Sequence, residues 1–327
     1  MHTYLLTGGN GFIGSHLVRK LVEQKQKVHI IIEKNSDMWR LHDLIQHVTM
    51  HEIDLTDFAT ITKIVSLIRP EVIFHLASYG GMPFQLDQKT IFNVNFHGTV
   101  NLINACKSVG FLCFINTGSS SEYGMKSTPM HEQDVLEPVS DYAVSKAAAT
   151  QFCLKEALFH KLPIYTVRPF SVYGNYEMET RLIPTILINT INNKEMKLSS
   201  PHFVRDFIFI EDMTKIYFDI VEKMPTENHI FNAGSGNQST IANVLASVQS
   251  LWPQQLKISW GMSEPRPWEP KHWKASIQTA QTVLGWKPQN TLREGLRKTL
   301  KWFEKNQDLY PKQVHEKPPT PTITKAL

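Results

Sequence analysis

The stretch TGGNGFIGSHL, residues 7–17, follows a short apolar run and decides how the rest of the chain is read. Gly8, Gly11 and Gly14 recur at every third position, and Gly9, Gly11 and Gly14 also satisfy a G-x-G-x-x-G spacing. Glycines so placed permit a tight turn, close approach of a pyrophosphate and close packing of helix on strand, while free N–H groups at the helix start face an anion. A glycine-rich turn with no ligand has the same spacing, so the flanks matter. YLLTGG reads as a buried strand, and SHLVRKLVEQKQ carries Leu17, Val18, Leu21 and Val22 at helical spacing. Strand, loop and helix in that order point to a dinucleotide.

The alternation continues outward. KVHIIIEK, TMHEIDLTD, EVIFHLAS, FLCFINTGSS and PIYTVRPFSVYG read as strands; FATITKIVSLI, IFNVNFHGTVNLINACKSVG and SDYAVSKAAATQFCLKEALFH read as helices between them. Val-, Ile- and Phe-rich strands alternating with amphipathic helices predict an α/β fold, a Rossmann-type doubly wound parallel sheet covered on both faces. After about residue 170 the rhythm breaks into helices, short strands and Pro-containing loops such as EPRPWEPKHW. The expected organisation is a dinucleotide-binding domain over 1–170, a mainly substrate-binding C-terminal region over 171–305, and a loosely held tail over 306–327. The stretch 204–235 again reads strand, helix, strand and is expected to return to the main sheet.

Composition bounds the function. Forty-two per cent hydrophobic and 20% charged residues suit a soluble globular protein, and a net charge of +4 over 327 residues, with Lys and Arg scattered among acids, carries no nucleic-acid footprint. Cys106, Cys113 and Cys153 are too few and too irregularly spaced for a disulfide framework or a zinc site, and no metal is expected. A cytoplasmic, membrane-free protein is the expectation.

Glu33, at the end of the second expected strand, could accept hydrogen bonds from both adenosine ribose hydroxyls, which favours NAD over NADP. Ile32 and Lys34 flank it, so a one-residue shift would present a cation instead, and NADP stays open. Tyr142 and Lys146, four apart in DYAVSKAAA, share a helix face, where an ammonium is expected to draw the phenol pKa down towards a working range. Ser119, Ser120 and Ser121 lie upstream at a strand end, where serines also serve simply as turn caps. A hydroxyl, a phenol and an ammonium beside a dinucleotide loop constitute a hydride-transfer site.

Together with EIDLTD, HLAS, NVNFHGTVNLINAC, GSSSEYG, YAVSK, VRPFSVYG, RLIPTIL, VRDFIFIEDM, FNAGSG and LGWKPQNTLREGL, these motifs resemble the extended short-chain dehydrogenases/reductases, in particular their nucleotide-sugar epimerases, dehydratases and reductases. The resemblance spans nearly the whole chain. It implies a cofactor held by Gly8, Asn10, Gly11, Phe12, Ile13, Gly14, Glu33 and Pro169, with Asp54 and Leu55 at the adenine, Leu76 and Ala77 behind the cofactor and Asn95 supporting the site. Ser119, Tyr142 and Lys146 would be catalytic, Tyr142 exchanging the proton of a sugar hydroxyl and Lys146 also bonding the nicotinamide ribose. Leu182, Arg205 and Arg266 would contact the nucleoside diphosphate, with Tyr79 and Ser120 near the sugar; a surface ion pair is the plainer reading of each arginine, and core packing that of Tyr79.

Members of this group begin alike, with hydride leaving a sugar carbon, usually C4. A 4,6-dehydratase adds an acidic pair directly after the catalytic Ser or Thr. Here Ser120 and Ser121 stand there, and Glu122, one residue on, would face away on an extended segment. A 4-epimerase retaining NAD is therefore expected, with a 4-keto-6-deoxysugar reductase using NADPH as the alternative, then a nucleotide-sugar 4,6-dehydratase should a local bulge restore the register of Glu122, and a non-catalytic dinucleotide sensor as the reading from another class. A second apolar face on the two helices that carry Asn95 and Tyr142 (Val94, Leu102, Ala105; Val144, Ala148, Phe152) predicts a homodimer through a four-helix bundle.

Overall fold

The structure, a computed structural model, describes residues 1–261 and 270–310. Six strands follow one another through the first half: β1 (Thr3–Thr7), β2 (Lys27–Ile32), β3 (Thr49–Glu52), β4 (Val72–His75), β5 (Cys113–Thr117) and β6 (Ile164–Pro169). The short strands β7 (Ser171–Tyr173), β8 (Met196–Leu198), β9 (Val204–Arg205) and β10 (Phe207–Phe209) come next, then β11 (Ile230–Ala233), β12 (Ser239–Thr240) and β13 (Ile258–Trp260). The main sheet is parallel and seven-stranded, in the order β11-β6-β5-β4-β1-β2-β3. Strand order reverses between β1 and β4, and the crevice beyond their carboxyl ends is where ligands bind in open α/β sheets.

Alternation along β1 sets the two layers. Tyr4 and Leu6 face α1 (Phe12–Glu23) and α7 (Ile210–Lys223) through Leu17, Val18, Leu21, Met213, Ile216 and Tyr217. Leu5, between them, faces α2 (Phe58–Ile68), α4 (Gly98–Val109) and α5 (Asp141–His160) through Ile61, Val65, Leu102 and Cys153. Each fully buried aliphatic side chain contributes roughly 1.5–3 kcal/mol, so a strand that is apolar on both faces is stable only between two helical layers. All three cysteines are free and buried, small apolar fillers of these layers.

A second apolar core lies in the C-terminal region, where α6 (Leu182–Ile191), α8 (Ile241–Gln249) and α10 (Leu292–Asn306) enclose Tyr173, Phe207 and Phe209. The remaining short helices are α3 (Gln88–Phe92) and α9 (Gln278–Leu284).

Several expectations are corrected. The run 163–174 is not one strand: Pro169 ends β6, the Phe170 N–H bonds Ala233 O, the Ser171 N–H bonds Asp206 O, and β7 then pairs with β10 in a separate sheet. The stretch 204–235 accordingly returns to the main sheet only through α7 and β11, while β9 and β10 stay with the second region. The helix read over 91–110 is α3 and α4 joined by a π-helical segment, Asn93–His97. Leu102 and Ala105, assigned to a dimer face, are at most 1% exposed because they pack inward against α2 and the sheet. Residues 307–310, read as the start of a loose tail, form a 3₁₀ turn and a buried Tyr310 whose hydroxyl donates to Glu177 O at 2.7 Å.

Candidate active site

The opening loop leaves β1 with Gly8 at φ +65°, where a Cβ would stand 2.7 Å from the Ala77 nitrogen, so the exits of β1 and β4 touch backbone to backbone. At Gly14 a Cβ would come within 2.2 Å of the Gly8 carbonyl oxygen, which only glycine avoids. Gly11 caps α1 without a side-chain bond, its N–H donating to Gly8 O at 3.0 Å, and the first-turn amides have no capping side chain. This uncapped helix start fits a pyrophosphate. Phe12 and Ile13, half-buried, pack against the second core, and Asn10 donates to Asp37 O at 3.2 Å, tying down the loop after β2.

Glu33 lies exposed one residue past β2, its carbonyl accepting the Ser36 N–H at 3.1 Å; exposed Lys34 is beside it. Asp54 is exposed and accepts the Thr56 N–H, whereas Leu55 is buried. Leu76 and Ala77 hydrogen-bond back to Thr7 O and Thr7 Oγ1. Pro169 stands opposite Ala233 at the end of β6.

Helix α5 begins at Ser140, whose hydroxyl accepts the Ala143 N–H, and presents Tyr142 in its first turn and Lys146 one turn on. The Ser119 and Ser78 hydroxyls lie near enough to the Tyr142 phenol to act on its titration. Burial raises its pKa above the usual phenol value, Ser119 opposes this, Glu122 adds to the rise, and Arg181 and Ser78 lower it. This corrects the expectation that Lys146 draws the phenol down. Arg181, whose guanidinium donates to Gly81 O at 3.4 Å, is a cation that lowers it. Lys146 is 2% exposed, and burial lowers it to about 8 against the raising influence of Glu122 and Cys153.

Ser119 and the residues after it are not extended. Ser120–Tyr123 forms a 3₁₀ turn with a reciprocal cap: Ser119 Oγ accepts the Ser121 N–H, and Glu122 Oε1 accepts the Ser119 N–H at 2.8 Å. Glu122 is thus turned into the interior, where its Oε2 accepts from Arg168 Nε at 2.8 Å. The segment is a turn rather than the extended run that the expectation assumed, so the carboxylate folds back onto the Ser119 backbone instead of pointing to the opposite side. Ser121 Oγ contacts Ser119 Oγ at 2.6 Å, and Ser120 is buried.

The π-helical segment holds Asn95 fully buried, where its amide donates to Ser145 Oγ and Tyr79 O and accepts the Tyr79 N–H, each within 2.9 Å. Asn95 therefore pins the loop after β4 to α5. His75, overlooked at the sequence level, bridges Thr7 Oγ1 and Thr99 Oγ1, and burial lowers its pKa to about 3. Ser78, Arg181, Glu122 and Arg168 were likewise given no site role. Ser78 lay in plain view in HLAS, and the S-x-x-E spacing of Ser119 and Glu122 is that of a capping box; Arg181 and Arg168 carry no local signal, since their partners are distant in sequence.

On the substrate side, Leu182 opens α6 behind Arg181, which caps that helix without a side-chain bond. Arg205 donates to Val204 O at 2.7 Å and lies 6.0 Å from the Trp273 ring. Arg266 falls outside the described residues. Among the described residues no group of three or more His, Cys, Asp or Glu is placed to hold a metal, and no helix is long and apolar enough to cross a membrane.

The UDP-glucuronate 4-epimerase of Thermodesulfobacterium geofontis is 27% identical, over 94% of this chain and 98% of its own length. The dTDP-glucose 4,6-dehydratase of Haemophilus influenzae is 24% identical, over 93% and 98%. The crystal structure of UDP-glucose 4-epimerase from Thermotoga maritima with UDP-glucose superposes with a TM-score of 0.84 at 23% identity, over 93% and 99% of the two chains. Residues 4–234, which hold the glycine loop and the Ser119, Tyr142 and Lys146 constellation, match the profile of the NAD dependent epimerase/dehydratase family, and the chain is an enzyme of that family.

Proposed function

We propose that the protein is a nucleotide-sugar 4-epimerase acting through a 4-keto hexose, with NAD retained. The observation that carries this reading is the Tyr142 phenol, close enough to Ser119 and Ser78 for both to act on its titration and one helical turn from buried Lys146 on the same helix. Tyr142 reacts as its phenolate, taking the proton of the sugar C4 hydroxyl as hydride leaves C4 and returning it when hydride comes back; Ser119 holds that oxygen, and the Arg181 guanidinium favours the phenolate, with the Lys146 ammonium one turn along the same helix. The Gly8–Gly14 loop, Glu33, Asp54 and Leu55 would hold the dinucleotide, which would supply reversible hydride acceptance. Epimerisation asks nothing further of the chain. Dehydration would need an acid beside Ser119, and the nearest in sequence, Glu122, is engaged by Arg168. Exposed Glu33 disfavours a 2′-phosphate, which supports NAD; Lys34 beside it is what favours the second reading, a 4-ketoreductase spending NADPH.

The substrate class is a nucleoside-diphosphate hexose, supported by the relatives named above. Protein purified without added nucleotide is expected to carry NAD and to interconvert the C4 epimers of a UDP-hexose or UDP-hexuronate with no net change at 340 nm. Tyr142→Phe should lose roughly 10²–10⁴-fold in kcat while still binding NAD. Stoichiometric NADPH consumption would replace this reading by the reductase, and unchanged biological activity of Tyr142→Phe, with no turnover in the parent protein, would remove both, leaving a dinucleotide sensor.

A further inference from the structure

Glu122 moves no proton in the scheme above, yet it touches the backbone of one reacting group and lies in the field of the other two. It is fully buried, with Oε1 accepting from Ser119 N at 2.8 Å and Thr150 Oγ1 at 3.0 Å, and Oε2 from Arg168 Nε at 2.8 Å. All three partners are donors, which an ionised carboxylate satisfies without a proton of its own. Arg168 is fixed in turn, its guanidinium donating to Tyr123 OH at 2.8 Å and Glu132 O at 3.2 Å. Gly118 completes the seat: a Cβ there would lie 2.5 Å from Glu122 Oε1.

We propose that Glu122 is a positioning residue of the Ser119, Tyr142 and Lys146 site, its carboxylate anchored by Arg168 and Thr150 so as to fix the Ser119 backbone and place a negative charge near the phenol and the ammonium. This rests on the epimerase reading for the roles of those three residues. Burial raises the Glu122 carboxyl, while Arg168 and the Ser119 N–H oppose the rise. Its charge favours the protonated form of both Tyr142 and Lys146. The other charged or titratable groups facing them are Arg181 on the phenol side, and Cys153 and His75 on the ammonium side.

Two substitutions separate position from charge. Glu122→Gln keeps an acceptor for the Ser119 N–H but removes the charge; the Lys146 titration, followed by ¹³Cε-lysine NMR and assigned by its loss in Lys146→Arg, should fall by about 1 pH unit. Glu122→Asp keeps the charge but withdraws it from Ser119; that titration should stay near the parent value while kcat drops roughly 10–100-fold at similar KM. Thr150→Val removes one anchor and leaves the ion pair intact, and is expected to lower kcat severalfold. An unshifted Lys146 titration in a folded Glu122→Gln protein, or parental kcat in Glu122→Asp, overturns the proposal; if neither variant folds, parental kcat in Thr150→Val does so. The NMR titration needs no turnover, so failure of the epimerase reading, announced by Tyr142→Phe, is seen separately.

Discussion

Lys146 is the residue whose chemistry is most sharply set by its surroundings. An amine lowered to about 8 by burial is still an ammonium at neutral pH and loses its proton as pH rises through that value. Activity that depends on the cation should therefore fall above pH 8. Lys146→Arg, slower but non-titrating, should lose that limb of the kcat–pH profile; if the same limb persisted, another group would be its source. The Tyr142–Lys146 pair was legible from its four-residue spacing because a helix converts spacing into a shared face. The direction of the phenol's pKa was not. It follows from burial, with Glu122 adding to the rise and Ser119, Arg181 and Ser78 opposing it, and the proximity of these groups is a product of the fold.

At the level of elements, the β1–loop–α1 unit was read almost residue for residue, because each glycine answers a steric demand inside the unit itself. Gly14→Ala would force a Cβ against the Gly8 carbonyl. It should destabilise the protein by about 3 kcal/mol in urea unfolding and abolish NAD binding together; normal binding in this variant would show that the loop can open there without loss. The 3₁₀ turn at Ser120–Tyr123 and the π-helical Asn93–His97 escaped the reading for different reasons. The first is closed by the local Ser119–Glu122 cap, an S-x-x-E signal that was passed over, and is anchored by Arg168 and Thr150; the second depends on remote partners, Tyr79 and Ser145 for Asn95, and periodicity records only neighbours along the chain.

For the whole molecule, the doubly wound parallel sheet followed from alternation, since apolar strands separated by amphipathic helices need a helical layer on each face. The division of the later strands between two sheets did not, because two- and three-residue strands give no periodic signal. The predicted dimer must likewise use less surface than the sequence suggested. With Leu102 and Ala105 committed to the core, the face available on these helices is Val94, Val144, Ala148 and Phe152, of which Val144 is 39% exposed. A homodimer through this face should sediment as such at micromolar concentration, and Val144→Asp should shift it towards monomer; a monomeric parent protein would refute the interface.

The passage from β6 to β7 through the single residue Phe170 leaves the chain no slack. Side chains on a strand alternate in direction, so one extra residue at that point would send Tyr173 out of the second core and withdraw its hydroxyl from Leu292 O, the carbonyl it now reaches at 3.2 Å at the head of α10. The length of a strand in the dinucleotide sheet is thereby linked to the seating of the last long helix, and insertions or deletions should be excluded from residues 169–171.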